Sequence, residues 1–208
     1  AHHPINNVAI AGMGVEITEL RKKSEQLKAA RESAEFRAVH DALTSLPNRD
    51  QFRKIIKMQI ESQPDHPFWL LMCDIDKFKL VNDVHGHDVG DQVLTDFGHF
   101  VTRVIDGDVI VSRLGGDEFA ILIRDQPDQR LDASKLKTML NEDLFEIKVG
   151  ARDLEVEFSA GAARYPTDAE SYKDLLKCAD LALLRSKSDN TSRIDFYDAQ
   201  LGIEYTNG

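Results

Sequence analysis

Arg113-Leu114-Gly115-Gly116-Asp117-Glu118-Phe119 sits between two strand-like runs, Val109 to Leu114 before it and Phe119 to Ile123 after it. Both runs are rich in β-branched and large apolar residues, and two glycines between such runs read as a tight hairpin turn. Lacking a Cβ, Gly115 and Gly116 let the backbone approach a bulky anion, while Asp117 and Glu118 can hold a divalent cation beside it. Glycines and acids are also ordinary turn residues. Taken alone, the stretch is open between a phosphate and metal site and a hairpin tip with solvated carboxylates.

A second stretch bears on that choice. The apolar run Phe68 to Cys73 leads into Asp74-Ile75-Asp76-Lys77-Phe78-Lys79-Leu80-Val81-Asn82-Asp83-Val84-His85-Gly86-His87-Asp88-Val89-Gly90-Asp91. A buried strand ending in Asp74 delivers a carboxylate to the strand's C-terminal edge, where sites commonly lie in folds that mix helices and sheets. An acid there can meet the hairpin acids across neighbouring strands. Grouped carboxylates suit hard cations, which take phosphate oxygens as the rest of their shell, and this is how nucleotidyl transfer is usually built. Other residues of the stretch have plainer uses: Asp76, Asp83 and Asp88 suit the capping or solvation of a short helix. The pair His85 and His87 has a metal-clip spacing but lacks a third ligand of its type nearby.

Composition narrows the class of ligand. Lys and Arg number 26 against 36 Asp and Glu, a net charge of -10, so a nucleic-acid backbone is repelled overall and local lysines are left to serve a single nucleotide. The length of 208 residues suits one core plus an appendage. The two cysteines, Cys73 in an apolar strand and Cys178 on an amphipathic helix, read as core thiols of a reducing compartment, with no disulfide expected. No apolar run approaches the roughly 20 residues that span a bilayer, and no signal peptide opens the chain. A cytoplasmic domain without membrane contact is expected. The start, Ala1-His2-His3-Pro4, reads as cut from something longer, so an anchor can lie outside it.

The pattern predicts a long helix to about residue 40, a turn at Leu46-Pro47-Asn48 and a helix from Asp50 to Ile60. After the strand ending at Asp74, a helix from Gly90 to Ile105 leads into the hairpin. Further on come a helix over Asp132 to Leu144, strands over Phe145 to Val149 and Leu154 to Arg164, a helix over Tyr172 to Lys187 and a last strand over Arg193 to Tyr197. Helices and an antiparallel hairpin interleaved around one central sheet make an α+β protein. Within the first helix Ile17, Leu20, Ser24, Leu27, Arg31, Ala34 and Ala38 fall at heptad spacing. Ser24 and Arg31 weaken that seam, as suits a switchable coiled coil, and a solvated amphipathic helix is the alternative.

Together the motifs resemble the GGDEF family of diguanylate cyclases over about residues 40 to 198. The likeness rests on Asp74-Ile75-Asp76-x-Phe78-Lys79-x-x-Asn82-Asp83-x-x-Gly86-His87-x-x-Gly90-Asp91, on the Gly115 to Phe119 hairpin, and on Asp41-Ala42-Leu43-Thr44-Ser45-Leu46-Pro47-Asn48-Arg49. Phe158 to Pro166 and Cys178 to Lys187 are similar to the family's later motifs. The resemblance implies a ferredoxin-like, polymerase-palm-like core with an antiparallel sheet and an active-site β-hairpin. It implies that Asp74 and Asp117 bind Mg²⁺ or Mn²⁺, two ions per site, with the Ile75 carbonyl and Glu118 assisting and Asp117 and Glu118 as catalytic carboxylates. Asn82 and Asp91 would read guanine, selecting GTP over ATP. Phe78, Lys79, His87, Gly115, Gly116 and Lys187 would line the rest of the substrate, Lys187 at the γ-phosphate. The implied reaction joins two GTP into cyclic di-GMP with release of two pyrophosphates, in a homodimer holding one GTP per subunit.

Flanking segments resemble other modules. Val8 to Glu19 is similar to the final strand and exit motif of a PAS sensor, and Phe196-Tyr197-Asp198 with Leu201-Gly202-Ile203-Glu204 to a linker into an EAL phosphodiesterase domain. The expected division is a sensor tail at 1–15, a signalling helix at 16–40, the GGDEF domain at 41–198 and a linker at 199–208. Departures from the family pattern are Leu183-Leu184-Arg185-Ser186-Lys187 in place of Ala-Met-Tyr-x-Ala-Lys, Thr191 where an arginine is usual, with Arg193 nearby, and Val109 where the inhibitory-site Asp is usual. Val109 argues against product inhibition through that position. The altered last helix keeps a second reading open, a weak or inactive GTP-binding module that regulates an adjacent EAL phosphodiesterase.

Overall fold

The computed structural model describes residues 6–126, 131–189 and 192–200, and divides into one unit that ends at His40 and another that starts at Asp41. The first unit is helix α1, Asn6–Val39. Its backbone is helical across Val8 to Glu19, the stretch similar to a sensor's final strand and exit motif. A strand needs a neighbour to pair its N–H and C=O groups, and a helix pairs them within itself. On its surface Arg31 pairs with Glu35 at 2.7 Å and Lys28 with Glu32 at 3.9 Å, both at the i,i+4 spacing that supports helices by a few tenths of a kcal/mol. The seam residue Leu27 is exposed.

In the second unit the chain runs through α2 (Arg49–Ser62), β1 (Phe68–Ile75), α3 (Phe78–His85), α4 (His87–Val104), β2 (Asp108–Gly115), β3 (Glu118–Arg124), α5 (Ala133–Glu142), β4 (Glu146–Val149), β5 (Arg152–Glu155), β6 (Phe158–Tyr165), α6 (Tyr172–Asp189) and β7 (Ile194–Phe196). Asn48 caps α2, its side chain accepting from the Gln51 N–H, and Asp132 caps α5 by the same device. Five strands form one sheet in the order β2-β3-β1-β6-β7, and β4 and β5 form a separate two-stranded sheet. The antiparallel expectation holds for β2, β3, β1 and β6, whereas β7 joins the edge in parallel. The single strand predicted over Leu154 to Arg164 is two, β5 and β6. Between them the Val156 N–H bonds the Phe145 carbonyl on one side and the Glu157 carbonyl accepts from Asp76 on the other, so the chain crosses between the two sheets here.

Strand β1 is the axis of the sheet, and its two-residue period sorts side chains into two cores. Phe68, Leu70 and Met72 face one layer with Phe52 and Ile56 of α2 and Leu175, Ala179 and Leu183 of α6. Trp69, Leu71, Cys73 and Ile75 face the other, with Val93, Phe97 and Val101 of α4. Each fully buried Leu, Ile or Phe contributes about 1.5–3 kcal/mol. Asp74 continues the first series, so the position after Met72 on the α2–α6 face is a carboxylate. Helix α6 lies directly on β6: a Cβ at Gly161 would fall 2.0 Å from the Leu183 nitrogen and 2.2 Å from the Ala179 carbonyl oxygen. Glycine at that strand position sets the height of α6 above the sheet.

Candidate functional site

The hairpin tip is shaped by its glycines and fixed by a segment distant in sequence. Gly115 and Gly116 have φ of 143° and 56°, values that side chains with a Cβ seldom adopt, and the β2–β3 register shifts between Arg113 and Gly115. Arg113 donates to the Gly116 carbonyl through Nε at 3.0 Å and Nη2 at 2.8 Å, and through Nη1 to Asp41 Oδ1 at 2.9 Å. That oxygen also accepts from the Thr44 N–H and hydroxyl. Burial pushes the Asp41 carboxyl up, but the bonds from Thr44 and Arg113 outweigh it and hold it below its ordinary value. Arg49 completes the clamp: its Nε donates to the Leu114 carbonyl at 3.2 Å and its Nη2 meets Glu118 at 3.1 Å.

The tip meets the end of β1. The Ile75 N–H bonds the Asp117 carbonyl at 3.4 Å, and Asp74 stands opposite Glu118 in the ladder. From α6, Lys187 Nζ reaches Asp74 Oδ1 at 2.6 Å. Burial raises the Asp74 carboxyl above its ordinary value, Lys187 opposes that, and the neighbouring charges of Asp117 and Asp76 add to it. Burial likewise raises Asp76, whose two oxygens both accept from the Ser159 hydroxyl at 3.0 Å. Asp74, Asp76, Lys77, Glu157, Ser159 and Lys187 line a cleft of about 310 Å³, the low end of ligand-pocket size.

These donors fit a hard divalent cation of the Mg²⁺ type, which needs only one or two carboxylates when phosphate oxygens and water complete its octahedron. Asp74 and Asp117 are the carboxylates that could supply them, and Asp74 already carries the Lys187 ammonium at 2.6 Å. Among the described residues no group of three or more His, Cys, Asp and Glu side chains is set to hold a metal. Glu118, expected to assist, pairs with Arg49, and the His85–His87 pair forms no such group.

The expected base-reading residues lie on the other layer. Asn82 on α3 and Asp91 on α4 are carried by two packed helices, and Gly90 makes their approach possible: a Cβ there would fall 2.0 Å from Asn82 Oδ1. Phe78 is partly buried against the α4 core, Phe119 is wholly core, and Lys79, His87 and Asp91 are exposed. Among the described residues none of Lys79, Asn82, His87 or Asp91 makes a hydrogen bond or ion pair to Asp74, Asp117 or Lys187.

At the altered last helix, Arg185 is held by Asp195, by Asp198 at 2.9 Å and by the Phe196 carbonyl at 2.7 Å. This ties α6 to β7 two residues before Lys187. Leu184 is exposed. Arg193 donates to the Asp143 carbonyl at 2.6 Å and lies 3.6 Å from Glu155, which commits it away from Asp74. Thr191 lies outside the described residues, as do the linker residues Leu201 to Glu204. Val109 sits on β2 and packs against the apolar core. The supporting contacts of Arg113, Ser159 and Arg185 with Asp41, Asp76 and Asp195 are ones the sequence pattern does not single out, since these partners lie 10 to 83 positions away.

The profile described as "Diguanylate cyclase, GGDEF domain" matches residues 38–193. The bifunctional diguanylate cyclase/cyclic di-GMP phosphodiesterase MucR of Pseudomonas aeruginosa is 31% identical over 170 residues, which are 79% of this chain and 24% of that protein. The cyclic di-GMP phosphodiesterase NbdA of the same organism is 33% identical over 184 residues, 87% of this chain and 23% of that protein. The chain thus spans about a quarter of the length of these curated relatives. Among solved structures, the coiled coil and GGDEF domain of DgcB from Caulobacter crescentus, in complex with c-di-GMP, superposes with a TM-score of 0.68 at 25% identity, covering 88% of this chain and 98% of that one. The diguanylate cyclase SiaD of Pseudomonas aeruginosa, in complex with its activator SiaC, gives 0.65 at 25% identity over 90% of this chain and 73% of that one. With the family profile spanning the hairpin, the strand-end Asp74 and Lys187, and with the same fold in these structures, the chain belongs to the GGDEF family of diguanylate cyclase domains.

Proposed function

We propose that this domain condenses two GTP into cyclic di-GMP and two pyrophosphates, as a homodimer with one GTP in each subunit. The observation that carries the proposal is the meeting of Asp74, Asp117 and Lys187 at the joint of β1, the hairpin and α6. Asp74 and Asp117 would hold Mg²⁺ or Mn²⁺ beside the α-phosphate. A cation bound there neutralises phosphate charge and lowers the pKa of the attacking 3′-hydroxyl. Gly115 and Gly116 leave the backbone open to phosphate oxygens, and Lys187 and Lys79 supply point charges for the β- and γ-phosphates. Asn82 offers an amide donor and acceptor, and Asp91 a carboxylate that accepts from guanine's N–H groups. Each site supplies one nucleotide, so a second copy must face it, and α1 with a preceding sensor is the device we propose for bringing the copies together. Such a domain works in the cytoplasm, where its substrate is.

Purified chain incubated with GTP and Mg²⁺ should form cyclic di-GMP, with a rate that rises more than linearly with protein concentration. A second reading is favoured by the likeness to NbdA, named as a phosphodiesterase, and by the altered last helix: a GTP-binding module that regulates an adjacent EAL domain. Tight GTP binding with no product at any protein concentration would select it.

A further inference from the structure

The acids around Asp74 form a group that needs a counter-charge. Asp117 and Asp76 both repel the Asp74 carboxylate, and Asp76 is drawn to the same ammonium that contacts Asp74. That ammonium belongs to Lys187, 2.6 Å from Asp74 Oδ1. We propose that Lys187 is a displaceable internal counter-ion: it covers the Asp74 oxygen that a divalent cation would take, and leaves it for the triphosphate only when nucleotide arrives. The cation and the nucleotide then load together, because a metal entering alone would meet an ammonium already seated on its ligand. The proposal rests on the reading of Asp74 and Asp117 as the cation site.

The side chains suit that exchange. The Lys187 side chain is 37% exposed and that of Asp74 18%, so the cation can swing while the carboxylate stays. A lysine ammonium is a compact charge on a flexible stem, better able to change partners than a forked guanidinium. Ser159 donates to both oxygens of Asp76, which fixes that acid and leaves Asp74 as the one that receives either lysine or metal. The anchoring of α6 by Arg185 keeps the stem of Lys187 within reach of both positions.

Mn²⁺ binding to the full chain, followed by the electron paramagnetic resonance of the free ion, tests this with no turnover involved. Without nucleotide, Lys187→Met should bind Mn²⁺ about fivefold more tightly than the wild type, the size expected from relieving a part-exposed charge contact. With a non-hydrolysable GTP analogue present that advantage should vanish or reverse, because the triphosphate loses its lysine. Equal or weaker nucleotide-free binding by Lys187→Met, with Asp74→Asn abolishing binding, would overturn the counter-ion role and leave the cation site standing. Wild-type Mn²⁺ affinity in Asp74→Asn would remove the site itself. Circular dichroism of both variants checks that they fold.

Discussion

The two ends of the proposed nucleotide site are built in opposite ways. At the phosphate end, Arg113 and Arg49 tie the hairpin to Asp41 and to α2, and Arg185 ties α6 to β7. At the base end, α3 has no buried residue and Asn82 is held mainly by its fit against Gly90. The contrast follows from what each end must do. Stabilising charge in a transition state depends on dipoles and charges already in place, whereas a base is recognised by a few hydrogen bonds that can close around it. On the proposed function, the ion-paired end is where charge would develop, and the base would be read from a short half-exposed helix.

That comparison can be broken at several points. The largest effect is expected for Asp117→Asn. If the tied end carries catalysis, cyclic di-GMP formation should fall by roughly 10²–10³, the range seen when one preorganised electrostatic group is removed, with the circular dichroism spectrum unchanged; retained turnover would take the chemistry away from the hairpin. Next comes Asn82→Ala, for which the preference for GTP over ATP should drop about tenfold or more. Because α3 has no fully buried residue, the variant's melting temperature should stay close to that of the wild type. A large drop would mean that the base end is as structural as the phosphate end.

The smallest effect probes the clamp. Arg113→Met removes the guanidinium that spans Asp41 and Gly116, at a cost of about 1–2 kcal/mol for a partly buried pair. The Asp41 carboxyl is held below its ordinary 3.8, so its contribution to stability is complete above that value and is lost as the pH falls through the lower folded value. In the variant the Asp41 titration, followed by NMR, should move up towards 3.8, and the stability gap between variant and wild type should narrow under acid. An unmoved titration would assign the clamp to Thr44 alone.

Much of this is legible in the residues themselves. The apolar run into Asp74 and the paired glycines declare a strand end and a turn, because period and turn chemistry are local properties. Asn82 and Asp91 were reachable only through resemblance, since nothing local distinguishes a base-reading amide from a solvated one. The stretch Asp41 to Arg49 is legible as a motif, but its clamping of the hairpin depends on Arg113, 72 positions from Asp41. Leu154, Val156 and Phe158 alternate as one strand would, and the break between β5 and β6 comes from Phe145 and Asp76 claiming backbone groups on either side of it.

The rung from the Ile75 amide to the Asp117 carbonyl is the last link between the hairpin tip and the central strand, and at 3.4 Å it is a long one. Any lifting of the tip must break this rung, while the amides of Leu70 to Cys73 remain inside the ladder. Ile75 is therefore a built-in gauge: deuterium entering at that one amide counts how often the tip opens, and slowed entry on adding GTP would measure how far the proposed ligand steadies the tip.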